Sequence, residues 1–148
     1  MESGSRIQIL KLALALAVLM TGCVAGSENT MDPELAQRAI AGFLEHIEQR
    51  DLTALRDAVD VEFVGDRASI LDQLTDVLDT YQDIRFEIHV KRYVMDEEIL
   101  ETTFRWSRRW RSKSNGAETL TSGTSTLRFR QTESGFMLTS ALSRPPWQ

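Results

Sequence analysis

Trp106, Arg108 and Trp110 fall two residues apart in the stretch Ile99 to Lys113, so an extended chain presents all three on one face. An arginine between two tryptophans offers aromatic walls and one fixed cation. That combination suits the mouth of a cavity for a small apolar or anionic ligand, with the cation on a carboxylate or phosphate. The competing reading has the strand already past its covering elements at Arg108, leaving the guanidinium in water. A buried guanidinium needs an acceptor, so the two readings differ in what Arg108 touches. His46 borders the apolar side of the first predicted helix, and its ring either reaches the same interior or keeps its edge in water. Phe43 on that helix and Tyr81 further along complete the candidate lining. His89 sits among charged neighbours and is expected on the surface.

Other chemistry is sparse. No serine lies in a nucleophile-elbow context, and no His, Cys and acidic residues fall at metal-ligand spacing. Asp72, Asp76, Asp79 and Asp83 recur as a solvated helix face does, without the sharp glycine turn of a Ca²⁺ loop. No cofactor is expected and no catalytic residue is assigned.

The elements that must position these residues follow from periodicity. Asp32-Pro33-Glu34 starts a helix carrying Leu35, Ala39, Ile40, Phe43, Leu44 and Ile47 on one side. Asp51 caps a short second helix with Leu52, Leu55 and Val59, and Val61 to Val64 reads as a short extended piece. Asp66 caps a third helix whose stripe runs Ile70, Leu71, Leu74, Val77, Leu78 and Tyr81. Period-two alternation then takes over. Ile84 to Val90 is a half-buried strand with a bulge at Arg92, after which Tyr93 and Met95 turn inward. Ile99 to Lys113 is a long strand, with Leu100, Thr102 and Phe104 joining the Trp-Arg-Trp face. Asn115-Gly116 marks a hairpin, Ala117 to Gln131 a third strand with Gly123 where a bend is easy, and Phe136, Leu138, Ser140 and Leu142 a fourth. The plan is α+β: three N-terminal helices packed in a curved four-stranded antiparallel sheet.

A chain of 148 residues with 42% hydrophobic content holds one domain plus extensions. The lone cysteine, Cys23, rules out an intramolecular disulfide. Arg6 and Lys11 precede the apolar run Leu12 to Met20, which is too short to span a bilayer and matches the core of a signal peptide. Leu19-Met20-Thr21-Gly22-Cys23 resembles the lipobox of bacterial lipoproteins, with Met20 a less usual residue at its position. The resemblance implies cleavage before Cys23, acylation of its thiol with fatty acid such as palmitate, and a permanent membrane anchor. Residues 1–22 are then a signal peptide, 23–31 the lipidated cysteine and tether, and 32–148 the domain. Val24 in place of aspartate implies the outer membrane where the host has one, facing away from the cytoplasm. Residues 31–83 carry 4 basic and 13 acidic residues, whereas residues 84–148 carry 11 and 7. The basic half suits anionic lipid or self-pairing of sheets, and the net charge of −5 gives no support for nucleic acid.

The element order from Asp32 to Leu142, with Phe43-Leu44, Asp51-Leu52 and Leu55 in the paired helices, resembles the nuclear transport factor 2-like (SnoaL-like) superfamily. That resemblance implies a cone-shaped domain, shared by ketosteroid isomerases, scytalone dehydratase and many small binding domains. In the isomerases the base follows the second helix; the corresponding register puts Phe63 there, with Glu62 pointing away, and Phe43 stands where a tyrosine would donate. The expectation is therefore a lipid-anchored binding or assembly module, alone or as a homodimer through the sheet face. The alternative is an isomerase, dehydratase or hydrolase using the cone with His46 or Tyr81.

Overall fold

The computed structural model describes residues 32–148, so Cys23, the lipobox and the tether lie outside the described residues. Helix α1 spans Pro33–Glu48, α2 Leu52–Ala58 and α3 Arg67–Thr80. Each is started by an aspartate whose carboxylate accepts a backbone N–H of the first turn: Asp32 from Glu34, Asp51 from Ala54, Asp66 from Ser69. Strands β1 (Tyr81–Asp96), β2 (Ile99–Ser112), β3 (Glu118–Thr132) and β4 (Gly135–Ala141) form one antiparallel meander in chain order. This is the α+β plan that the periodicities predict.

Leu100, Thr102, Phe104, Trp106, Arg108 and Trp110 are all buried along β2, as the alternation requires. Facing them, α1 buries Ala36, Ala39, Ile40, Phe43, Leu44 and Ile47, and α3 buries Ile70, Leu74, Val77 and Leu78. The aspartates of α3 are exposed, and among the described residues no His, Cys, Asp and Glu gather as a metal would need. Arg50 and Lys113 close the C-terminal end of α3. Arg50 donates to the carbonyls of Tyr81 and Leu78 at 2.5 Å each, and Lys113 donates to Leu78 at 2.7 Å. Cations there satisfy orphan carbonyls and face the negative end of the helix dipole. They also fix the point where the chain leaves α3 and Tyr81 enters the sheet.

Four local readings change. Tyr81 does not end the stripe of α3; its backbone is extended and it opens β1. The piece from Val61 to Val64 is a turn, because Asp60 accepts from Glu62 N–H through its carboxylate and from Phe63 N–H through its carbonyl. Val61 and Val64 are consequently exposed, and the strand-like contact is one residue pair earlier, a parallel bridge from Val59 to Leu138. The bulge near Arg92 is present, and a second between Gln82 and Arg85 places Asp83 at φ 53°. In β4 a register shift opposite Arg128 and Phe129 adds a residue, and Leu142 ends up exposed.

Gly123 carries a packing constraint. It lies opposite Trp106 in the ladder, and a Cβ there would come within 2.6 Å of the Trp106 ring. That ring is buried, with its indole N–H held by Ser125. Gly123→Ala is expected to cost about 1–3 kcal/mol in chemical denaturation, as overpacking of a filled core does. An unchanged midpoint would mean that Trp106 has free space to move into.

Candidate functional site

Tyr81, Trp106, Arg108 and Trp110 converge at one end of the cone. The Trp110 ring stacks on Tyr81 with centroids 3.8 Å apart and planes at 1°. The Arg108 guanidinium carbon lies 3.3 Å from the Trp110 centroid and 5.5 Å from that of Trp106. Two groups so close to one ring occupy its opposite faces, so Trp110 is sandwiched between Tyr81 and Arg108. Desolvated contacts of this kind contribute up to about 2 kcal/mol each.

Arg108 is not in water: only 3% of it is exposed. Its acceptors come from residues 143–148. One guanidinium nitrogen donates to the carbonyl of Pro146 and, at 3.1 Å, to the oxygen of Gln148. Trp147 follows the prolines into the core. It is 1% exposed, with its ring centroid 5.3 Å from that of Phe43, which in turn meets Phe129 edge-on at 6.3 Å. The Trp106 indole N–H donates to Ser125 Oγ at 2.8 Å, and that hydroxyl donates to the carbonyl of Arg144 at 2.6 Å. Arg144 donates to the Gln148 oxygen at 3.0 Å, and the Gln148 side chain donates to Gln73 on α3 at 2.6 Å. The segment thus runs from β3 to α3 and fills the space in front of Arg108.

The side-chain charges of the cluster are those of Arg108 and Arg144. Among the described residues no aspartate or glutamate lies within ion-pair distance of Arg108. Burial pushes its guanidinium down to about 10, the cation of Arg144 adds to the fall, and Tyr81 opposes it. Arg108 therefore stays protonated at neutral pH. Its Nε, the indole nitrogens of Trp110 and Trp147, and the hydroxyl of Thr121, which faces Arg108 across the ladder, have no hydrogen-bond partner among the described residues.

The remaining candidates lie elsewhere. Phe43 supports Trp147 from α1 and offers no polar group. His46 is half-buried on the flank of α1, and its ring joins none of these contacts; His89 is exposed on β1. Sequence reasoning passed over Trp147, Ser125, Arg144 and Gln73. The signal available was Pro145-Pro146-Trp147 itself, a stiff apolar unit too hydrophobic to be expected in solvent. It also passed over Asp60, which is 2% exposed. One Asp60 oxygen accepts from Glu62 N–H; the other lies 3.2 Å from Arg130, an ion pair without hydrogen-bond alignment. Arg130 also reaches Glu62 at 3.0 Å, and Glu62, then Asp60, hold its guanidinium above the ordinary range. This clasp ties the turn after α2 to β3.

Space is found outside the cone. A groove of about 380 Å³ runs over the outer sheet face between Arg85, Ser107, Arg109 and Leu120, and one of about 310 Å³ lies beside it near His89 and Arg105. Another of about 260 Å³ separates α1 from β1, lined by Leu44, Glu48, Phe86 and Ile88.

Comparison of the coordinates with solved structures decides the fold. The fold is that of the nuclear transport factor 2-like proteins. A protein of that family from Streptomyces avermitilis superposes with a TM-score of 0.62 at 18% identity, over 73% of this chain and 92% of its own. A nuclear transport factor 2-like superfamily protein from Salmonella enterica gives 0.59 at 15%, over 73% and 86%. A ketosteroid isomerase-like protein from Erwinia carotovora gives 0.58 at 15%, over 76% and 99%. No family model matches the chain and no curated protein matches it in sequence, so the likeness is one of architecture.

Ser125 joins the Trp106 indole to the segment that covers Arg108. Ser125→Ala strands the indole N–H and frees the Arg144 carbonyl, with an expected cost of about 1–3 kcal/mol. Amide exchange at Trp147 and Gln148 is expected to quicken by more than the global loss explains. Equal losses everywhere would mean that the segment does not depend on Ser125.

Proposed function

We propose that this chain is a lipid-anchored, extracytoplasmic binding or assembly module of nuclear transport factor 2-like fold, working without catalysis. The observation that supports this most directly is the occupied cone. Trp147 is buried against Phe43, and the Arg108 cation is engaged by main-chain oxygens of the same segment. Acid–base chemistry there needs a group that takes and gives a proton near neutral pH. Arg108 holds its proton too tightly, Tyr81 is stacked on Trp110, and among the described residues no histidine, aspartate or glutamate joins the cluster.

The membrane side of the proposal draws on the Leu19 to Cys23 motif and on the outer sheet face. No helix among the described residues is long and apolar enough to cross a membrane. Among the described residues Arg105 and Arg109 stand exposed on β2 without ion pairs, whereas Arg111 and Arg128 are matched by Asp83, Glu118 and Glu101. Each unpaired cation near an anionic lipid surface contributes about 1 kcal/mol, a fitting aid to a chain tethered nine residues upstream of its domain. This polar face is also where a second copy would pair in the homodimer reading.

An enzymatic reading retains one point in its favour. The ketosteroid isomerase-like protein shares the architecture, and Arg108, Tyr81 and Trp110 would line the cone were residues 143–148 to leave it. It still lacks a base.

Cys23→Ser is expected to move the protein from the membrane fraction to the soluble fraction, and radiolabelled palmitate incorporation should vanish with it. Retention of the variant on membranes after a carbonate wash would sink the anchor. Native mass spectrometry of the same variant separates monomer from dimer.

A further inference from the structure

We propose that two copies of this chain join edge to edge through residues 87–91 of β1, around a two-fold axis at His89, so that their sheets become one. The inference rests on the assembly reading of the protein and gives it a surface other than the sheet face. Strand β1 is an outer strand of the meander, and among the described residues no further strand pairs with its free side. Phe86 N–H donates to the Glu48 carboxylate at 2.6 Å, so it points away from β2. Backbone groups of an antiparallel strand alternate in direction, so the N–H and C=O groups of Ile88 and Val90 point outward as well. Among the described residues no backbone partner meets them there. An unpaired edge of this kind is a template for another strand.

The same observations fix the register. The free run ends on one side at Phe86, whose N–H Glu48 has taken, and on the other at the bulge between Val90 and Arg92. His89 is its midpoint. In an antiparallel pair centred there, Ile88 of one copy lies opposite Val90 of the other, and the two exchange both of their N–H···O bonds. An axis at Ile88 or at Val90 instead sets one of them against the blocked Phe86 or the bulged Arg92. Side chains agree with the central axis. Ile88 and Val90 are half-buried on the inner face and cover each other across the join. On the outer face Glu87 of each copy meets Lys91 of the other; both are exposed, and among the described residues neither is in an ion pair. Charges on an edge ordinarily deter foreign strands, but this pair is spaced to match a second copy.

Cys23 is the lone cysteine of the chain, so disulfide trapping can be read at one position at a time. In the full chain carrying Cys23→Ser, His89→Cys sets two thiols across the axis, where facing Cα atoms lie about 4.5 Å apart and a disulfide can form. Mild oxidation is expected to link this variant as a dimer. Lys91→Cys in the same background is expected to stay monomeric, because its two copies lie about 13 Å apart along the strands. Lys91→Glu should slow trapping at His89→Cys several-fold, and adding Glu87→Lys should restore it, since the swapped charges match again. No dimer from folded His89→Cys would overturn the edge join. Trapping that ignores both charge variants would overturn the register. Trapping at Arg109→Cys but not at His89→Cys would overturn the edge while leaving the assembly reading in place, with the sheet face as its surface. That reading fails separately, if native mass spectrometry of Cys23→Ser gives only a monomer.

Discussion

The burial of Arg108 is the constraint to which much of the domain answers. A guanidinium removed from water loses several kcal/mol of hydration unless its donors and charge are met. Here the charge is spread over the faces of two tryptophans, and the donors reach carbonyl oxygens of the segment from Ser143 to Gln148. The segment in turn can reach Arg108 only because the two prolines and Trp147 are drawn into apolar surroundings behind it. Cation and plug therefore hold each other. Removing either leaves the other in an environment it could not occupy alone.

Several features that look independent follow from that pairing. Trp106 must lie flat over β3 to leave room beside Arg108, which is why the residue opposite it has no side chain. Its indole N–H then points at Ser125, and Ser125 passes a hydrogen bond on to Arg144. On the other side Tyr81 backs Trp110, and Tyr81 is held there by Arg50 and Lys113 at the end of α3. The bulge at Asp83 comes immediately after. It lets β1 leave the stacked pair and resume its ladder with β2 in the register that buries Ile84. Local chemistry at the helix end, the sheet and the terminal segment thus converges on one side chain.

What was legible beforehand was whatever repeats. Helix caps at Asp32, Asp51 and Asp66 and the alternation of β2 each carry their signal within a few residues, and the elements lie where those signals put them. The cluster of Tyr81, Trp106, Arg108 and Trp110 was partly legible for the same reason, since three of its members share one strand face. The partners of Arg108 were not. Trp147 and Gln148 lie about forty residues away along the chain, beyond the last periodic element, and the apolar unit Pro145-Pro146-Trp147 signals burial without saying against what. Tyr81 was assigned to the helix because its spacing fits a helical stripe as well as a strand start. The turn at Asp60 was missed because a side chain capturing its neighbours' N–H groups can override the β preference of Val61 and Val64.

A cone of helices and sheet is a container whose use depends on what stands in it. The same architecture in the isomerase-like protein from Erwinia carotovora is built from a sequence only 15% identical, so the walls can be conserved in shape while their contents differ. In this chain the space between Phe43 and Arg108 is closed by a ring and an oxygen belonging to the chain itself. That substitution meets most of the needs a bound molecule would meet. It buries the apolar wall, gives the guanidinium acceptors and braces α3 against β3 through Gln73 and Ser125. Cation, aromatic wall and plug are therefore one packed unit, and the cone of this chain is filled from within.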